Sequence, residues 1–271
     1  MFDKFTARAL FAATLLALGF SNIANADSLD DIKARGTLIV GGKADYKPFG
    51  YRESDGKIVG YSVDLADALA KELGVKVELV PTTAANQLQF LQQGKVDIII
   101  AAMNDTPERR QIVGVVDPGY TASGVTLLSA KAAKIDSWEA IKGKKICGVQ
   151  GAYFNRPVQE KFGADIVAYK TTAEAYTALK GGNCIAFVYD DNNLLQAAQN
   201  PDWKDFEVRL GSILEQPTVM AVRLDEKRLH EAVSKAMVGW YKAGSIADLE
   251  KKWIGRNSAY VLEQTKQLKG K

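Results

Sequence analysis

The chain has 271 residues, 47% of them hydrophobic, with 35 Lys and Arg against 32 Asp and Glu and a formal net charge of +3. That apolar content suffices for packed cores, and so balanced a charge argues against nucleic acid or an anionic membrane as partner. No stretch beyond the first 26 residues is apolar and long enough to span a bilayer.

Those first 26 residues read as an export signal. Lys4 and Arg8 make its positive start and residues 9–18 (ALFAATLLAL) its apolar run. That run fits the roughly 7–15 residues of a signal and falls short of the roughly 20 a membrane span needs. Ala24, Asn25 and Ala26 offer small residues to a peptidase, so cleavage is expected after Ala26. The competing reading, a buried helix or an uncleaved anchor, would need an unusually short segment. The mature chain of 271 − 26 = 245 residues amounts to about one and a half domains at roughly 150 residues each.

From residue 37 to 102 the pattern alternates strand, helix, strand, helix, strand. Leu38, Ile39 and Val40 form an apolar strand running into Gly41 and Gly42. Residues 63–73 repeat Leu65, Leu69 and Leu73 at helical spacing, and Gly74 ends the helix. Residues 75–79 alternate as a strand up to Pro81, 86–93 read as a helix, and 96–100 as a strand buried on both faces. The β-prone segment 124–130 follows as a crossing. A short helix is then expected over 136–141, with Asp136 and Glu139 spaced as a capping box. Strands over 145–149, 166–169 and 184–189 alternate with helices over 158–162 and 172–179, and 217–223 reads as a second crossing. Two helices with Leu229, Val233, Met237 and Trp240, then Ile246, Leu249 and Trp253, at core spacing precede a polar, ill-defined tail.

Two βαβαβ units imply an α/β protein with two open, mostly parallel sheets. The crossings divide it into a first lobe (27–126 and 220–255), a second lobe (127–219) and a tail (256–271). Cys147 and Cys184 fall at the starts of neighbouring strands, and an exported chain with two thiols is a candidate for one disulfide. Such a bridge would close a 37-residue loop, for about 3–4 kcal/mol. Two separate buried thiols are the alternative.

In open α/β sheets ligands bind beyond the carboxyl ends of the strands. Those ends carry Lys43, Tyr46 and Phe49, then Ala102, Asn104 and Arg109, then Ala152 and Tyr153, then Asp190. Thr106 and Pro107 read as N-cap and first helical residue, whose free N–H groups favour an anion. Arg109, one turn in, could grip a carboxylate or simply pair with a surface acid. Asp191 reads as a helix N-cap, and Lys43 as a solvated loop charge unless it meets the ligand.

In order along the chain stand Gly36-Thr37-Leu38-Ile39-Val40-Gly41, Tyr46-Lys47-Pro48-Phe49, Gly60-Tyr61-Ser62-Val63-Asp64-Leu65, Gly94-Lys95-Val96-Asp97, Thr106-Pro107-Glu108-Arg109, Ile141-Lys142-Gly143-Lys144, Val149-Gln150-Gly151 and Val188-Tyr189-Asp190. Over 36–255 the chain thereby resembles the polar amino-acid-binding proteins of ABC importers, the extracellular solute-binding family 3. The resemblance implies a type II periplasmic-binding-protein fold, the Venus-flytrap. It also implies a monomeric periplasmic protein that closes on a zwitterionic ligand and delivers it to a membrane permease. It implies that Arg109 grips the α-carboxylate, Asp190 takes the α-ammonium, Tyr46 lines the side-chain pocket and Asn104 donates to the carboxylate. Ala101-Ala102 and Ala152-Tyr153 depart from the family's hydroxyl residues, so at Ala101-Ala102 a backbone group must replace a hydroxyl or that contact is lost. Lys43 stands where some binders of basic amino acids carry an acid, which argues against a strongly cationic ligand. The side chain stays open among glutamine-like, acidic, sulfur-containing and opine-type groups.

No cofactor or metal is expected, since no Ser-His-Asp set, metal cluster or phosphate loop is evident. The single His230 reads as structural. The rival is a cyclohexadienyl or arogenate dehydratase-like enzyme on the same scaffold, which would need a positioned acid or base.

Overall fold

A computed structural model describes residues 28–270, so the expected export signal and its cleavage point lie outside the described residues. The chain opens with α1 (Ser28–Arg35), β1 (Thr37–Gly42) and three short strands, β2 (Asp45–Tyr46), β3 (Gly50–Arg52) and β4 (Ile58–Val59). There follow α2 (Tyr61–Leu73), β5 (Lys76–Pro81), α3 (Gln87–Gln92), β6 (Ile98–Asn104) and the single turn α4 (Pro107–Arg110). Helix α2 ends where Gly74 turns left-handed at φ 72° and its N–H returns to the carbonyls of Ala70 and Lys71. Strand β6 is apolar up to Met103 because each face has its own core: Ile98 and Ile100 pack on one side, Ile99, Ala101 and Met103 on the other.

Next come β7 (Gly114–Ala130), β8 (Lys145–Val149), α5 (Asn155–Phe162), β9 (Asp165–Tyr169), α6 (Thr172–Lys180), β10 (Ala186–Asp190), α7 (Asp191–Ala198), β11 (Phe206–Val208) and β12 (Ile213–Val222). Helices α8 (Lys227–Ala243), α9 (Ser245–Ile254) and α10 (Ala259–Lys269) complete the described chain.

The strands lie in the order β5-β1-β6-β12-β7-β10-β8-β9, with β11 also on β7. Strand β1 is parallel to β5 and β6, and β8 is parallel to β9 and β10, so each half carries the parallel core of a βαβ lobe. The sequence pointed to two separate sheets, but the hydrogen bonding is continuous. The crossing strands β7 and β12 run antiparallel to each other, with β12 also on β6 and β7 also on β10. The pair spans both lobes because β7 is 17 residues long, about 55 Å at strand rise, far more than the expected crossing.

Two local expectations change. Residues 138–141 form a 3₁₀ turn whose N-cap position is Ser137, without a side-chain cap, and the Asp136 carboxylate, one residue too early to cap it, pairs with Arg209 at 2.7 Å. The tail is not ill-defined: Ser258 caps α10, and the buried Glu250 accepts from Thr121 Oγ1, Ser258 Oγ and Ser258 N–H at 2.6–2.8 Å. That carboxylate therefore ties β7, α9 and α10 together, and Val261 is buried beneath it.

Cys147 and Cys184 are bonded, joining the start of the β8 region to the segment entering β10 across a sequence separation of 37. Replacing both by Ala should lower unfolding stability by about 3–4 kcal/mol through lost loop constraint, read as a reduced urea midpoint at unchanged slope. An unchanged midpoint would mean that the bridge constrains nothing in the unfolded chain.

Candidate functional site

Strand β6 delivers the chain to α4, where Thr106 Oγ1 accepts the Arg109 N–H at 3.3 Å and Pro107 opens the turn. The helix stops after one turn, so its dipole is slight and the guanidinium becomes the principal positive group. That side chain folds inward, only 9% of the residue is exposed, and burial pushes its pKa down. Its Nη1 donates to the Asn104 carbonyl at 2.7 Å, and its head lies 5.9 Å from the Tyr153 ring centre. No carboxylate among the described residues pairs with it. A guanidinium has five N–H donors, so most of its capacity is turned toward whatever enters.

Asp190 closes β10 and is 4% exposed. The sequence reading made Asp191 the N-cap of the following helix. The cap is Asp190, whose Oδ1 accepts the N–H groups of Asn192 and Asn193 at 3.1 and 3.3 Å, while Asp191 Oδ2 accepts from Ser212. The Ser123 and Tyr46 hydroxyls lie near the Asp190 carboxyl and pull its pKa down. Burial first, then the neighbouring Asp191 charge, pushes its pKa up to about 7 against those donors. Asn104 completes a relay between the two charges: its carbonyl holds Arg109, and its amide donates to Ser123 Oγ at 3.1 Å.

These groups share one cavity between the lobes. Arg109, Asp190, Tyr46, Asn104, Ala102, Ala152, Tyr153 and Lys43 line it. Phe49 does not: it is wholly buried behind Tyr46, at 5.3 Å between ring centres, and packs on Tyr61. Ala102, at φ 52°, gives its N–H to the Tyr120 hydroxyl at 3.0 Å, so the backbone donor expected for a ligand is already spent. Lys43 is no solvated loop charge; it is 6% exposed, and burial pushes its pKa down to about 8, Asp45 opposing and Arg109 reinforcing. Tyr51, Tyr61 and Phe90 do not line the cavity, and His230 bonds the Val115 carbonyl elsewhere.

Four lining residues escaped the sequence reading: Ala84, Gln87, Phe154 and Tyr189. Tyr189 and Phe154 extend the aromatic wall from Tyr46 and Tyr153 at centroid separations of 5.2–5.8 Å. Gln87 begins α3, beyond the carboxyl end of β5. The strand-end rule would have found it had β5 been read past Pro81.

The lobes touch on either side of the cavity. Thr172 N–H donates to Asp45 at 3.1 Å, Asn193 Nδ2 to the Lys47 carbonyl at 2.6 Å, and Gly151 faces the Ala84 backbone. The remaining free space is about 30 Å³, against roughly 150 Å³ for a cavity that admits benzene. Hinge opening is therefore needed to load it. A larger groove of about 770 Å³ leads away past Ala84, Arg109, Gly151 and Tyr153.

A Cβ on Gly151 would stand 2.6 Å from the Ala84 carbonyl carbon, and φ there is +79°. Gly151→Ala should hold the lobes apart, seen as a larger radius of gyration in X-ray scattering; an unchanged radius would place the contact outside the closing surface. The Asp190 carboxyl makes a second prediction. An unfolded aspartate loses its proton near pH 4, the folded one near 7. Its contribution is thus fully present below pH 4 and lost as pH rises through about 7. Asp190→Asn keeps a capping oxygen and should melt above the wild type at pH 8, the gap closing toward pH 4. A gap independent of pH would contradict the raised pKa.

Residues 38–256 match the family of bacterial extracellular solute-binding proteins, family 3. The chain is 30% identical over 264 residues to the ABC transporter glutamine-binding protein GlnH of Bacillus subtilis, covering 92% of this chain and 96% of that protein. Among solved structures, the ancestral amino acid-binding protein AncCDT-1, a precursor of cyclohexadienyl dehydratase, superposes with a TM-score of 0.76 at 36% identity, covering 84% and 100% of the two chains. The P235GK mutant of ArgBP from T. maritima superposes at 0.79 with 28% identity, again covering 84% and 100%. Among the described residues no helix is long and apolar enough to cross a membrane.

Proposed function

The chain belongs to family 3 of the bacterial extracellular solute-binding proteins, and from that membership we propose that it captures a zwitterionic amino acid or derivative in the periplasm for an ABC importer. One observation carries the reading: a buried guanidinium and a buried carboxyl, neither ion-paired among the described residues, line the same cavity from opposite lobes. In this reading Arg109 takes the ligand α-carboxylate. Asp190 takes the α-ammonium, beside the Tyr46 and Ser123 hydroxyls. Tyr46 and Tyr153 flank the bound molecule.

Residues 1–26 are removed on export, and the mature protein acts as a monomer. The first lobe comprises 27–126 and 220–255, the second 127–219, and α10 rides with the first through Glu250. Rotation about β7 and β12 closes the lobes, and the closed form docks on the permease. Binding rather than turnover is the role assigned to the cavity. A dehydratase activity is the second reading, favoured by likeness to a dehydratase precursor and by the near-neutral pKa of Asp190.

Each charge-assisted hydrogen bond contributes about 1.5–3 kcal/mol. Arg109→Ala and Asp190→Ala should therefore each weaken amino-acid binding at least about 100-fold in calorimetry, with far-ultraviolet circular dichroism unchanged. Unaltered affinity in both variants would remove the site assignment, and product release from prephenate or arogenate would favour the enzyme.

A further inference from the structure

Two polar groups of the cavity have no place in the grip on an α-carboxylate and an α-ammonium. Lys43 follows Gly42 at the end of β1, is buried, and makes no ion pair among the described residues. The nearest acid in sequence, Asp45, is exposed and gives one oxygen to the Thr172 N–H across the cleft. A buried ammonium without a countercharge is costly, and a second cation in the same cavity raises that cost. Gln87 is 1% exposed and its side-chain oxygen has no hydrogen-bond partner. A half-turn of its amide exchanges the oxygen for two N–H donors, so it can serve either kind of group. Both residues line the cavity that holds Arg109 and Asp190.

Charge matching then separates ligand classes. Arg109 and Lys43 supply two positive charges against one negative from Asp190, if all three are ionised. A ligand with one ammonium and two carboxylates restores the balance. A neutral amino acid leaves Lys43 unpaired, and a basic one adds repulsion. We propose that Lys43 and Gln87 form a side-chain subsite that selects an amino acid bearing a second carboxylate, Lys43 pairing with that group and Gln87 donating to it. The proposal rests on the amino-acid reading above and narrows it to the acidic class.

Calorimetry at pH 7 with L-glutamate, L-aspartate, L-glutamine, L-alanine and L-arginine tests it on the wild-type protein. The expected result is that one acidic amino acid binds at least tenfold tighter than L-glutamine and L-alanine, with L-arginine weakest. Lys43→Met, which replaces the ammonium by an apolar chain of similar length, should cost the acidic ligand about a hundredfold and change L-glutamine by less than about threefold. Gln87→Leu should fall between the wild type and Lys43→Met for the acidic ligand. The wild-type ranking stands apart from the folding of any variant, and melting curves check the variants. A wild type that prefers L-glutamine or L-arginine, with that binding abolished by Arg109→Ala, overturns the subsite and leaves the amino-acid reading intact. Equal weakening of all ligands by Lys43→Met overturns it too, assigning Lys43 a positioning role. Binding of none of the five overturns the subsite as well.

Discussion

Arg109 and Lys43 stand within one cavity, and among the described residues neither is paired with a protein carboxylate. Elsewhere the buried acids are satisfied within the protein: Asp97 by Arg35 and the Ile39 N–H, Glu250 by two hydroxyls and a backbone N–H. The cleft is where that rule lapses for cations. Removing a charge from water without a countercharge costs several kcal/mol, so these groups are held in place against their own solvation. Covalent continuity and the β7–β12 ladder hold them there, and a ligand of complementary charge recovers the loss.

The contacts that join the lobes beside the cavity are of a different order. Thr172 to Asp45 and Asn193 to Lys47 are single hydrogen bonds, each contributing about 0.5–1.5 kcal/mol net. Their sum is a few kcal/mol, enough to bring the lobes together and too little to prevent opening. A ligand shifts such an equilibrium only by its differential affinity for the closed form, and contacts to both lobes at once are available only there. Tyr46, from the first lobe, lines the cavity with Asp190 and packs on Tyr189 of the second, 5.3 Å between ring centres.

Much of this was legible from residue order. The strands came from apolar runs ended by glycine, and the strand-end rule gathered Arg109, Asp190, Asn104, Tyr46, Tyr153 and Lys43 before any coordinates. Thr106 and Pro107 announced their cap, and the two cysteines their bridge. What failed did so for identifiable reasons. The capping box at Asp136 failed because the turn takes Ser137 as its N-cap position, and Asp136 pairs with Arg209, a residue 73 positions away that spacing cannot reveal. Helix α10 looked like a tail because its anchor is Glu250, a charge on an amphipathic helix that reads as solvated until Thr121 and Ser258 converge on it. Phe49 and Tyr46 sit three residues apart, yet one is cavity wall and the other core, because Phe49 is stacked on Tyr61 of α2.

The missing hydroxyls show how a site can keep its shape while exchanging parts. With Ala101 and Ala102 at the end of β6 and Ala152 after β8, no small hydroxyl projects from those positions. Ala102 instead takes a left-handed backbone conformation, and its N–H is claimed by the buried Tyr120 hydroxyl. That bond freezes the end of β6 from behind. The hydroxyl that remains in play, Ser123, comes from the crossing strand and accepts the Asn104 amide. Tyr153 fills the volume beside Arg109, its own hydroxyl fixed to the Leu214 carbonyl on the second crossing at 2.6 Å. Both replacements draw on β7 or β12, so the polar lining of this cavity is tied to the two strands that join its halves.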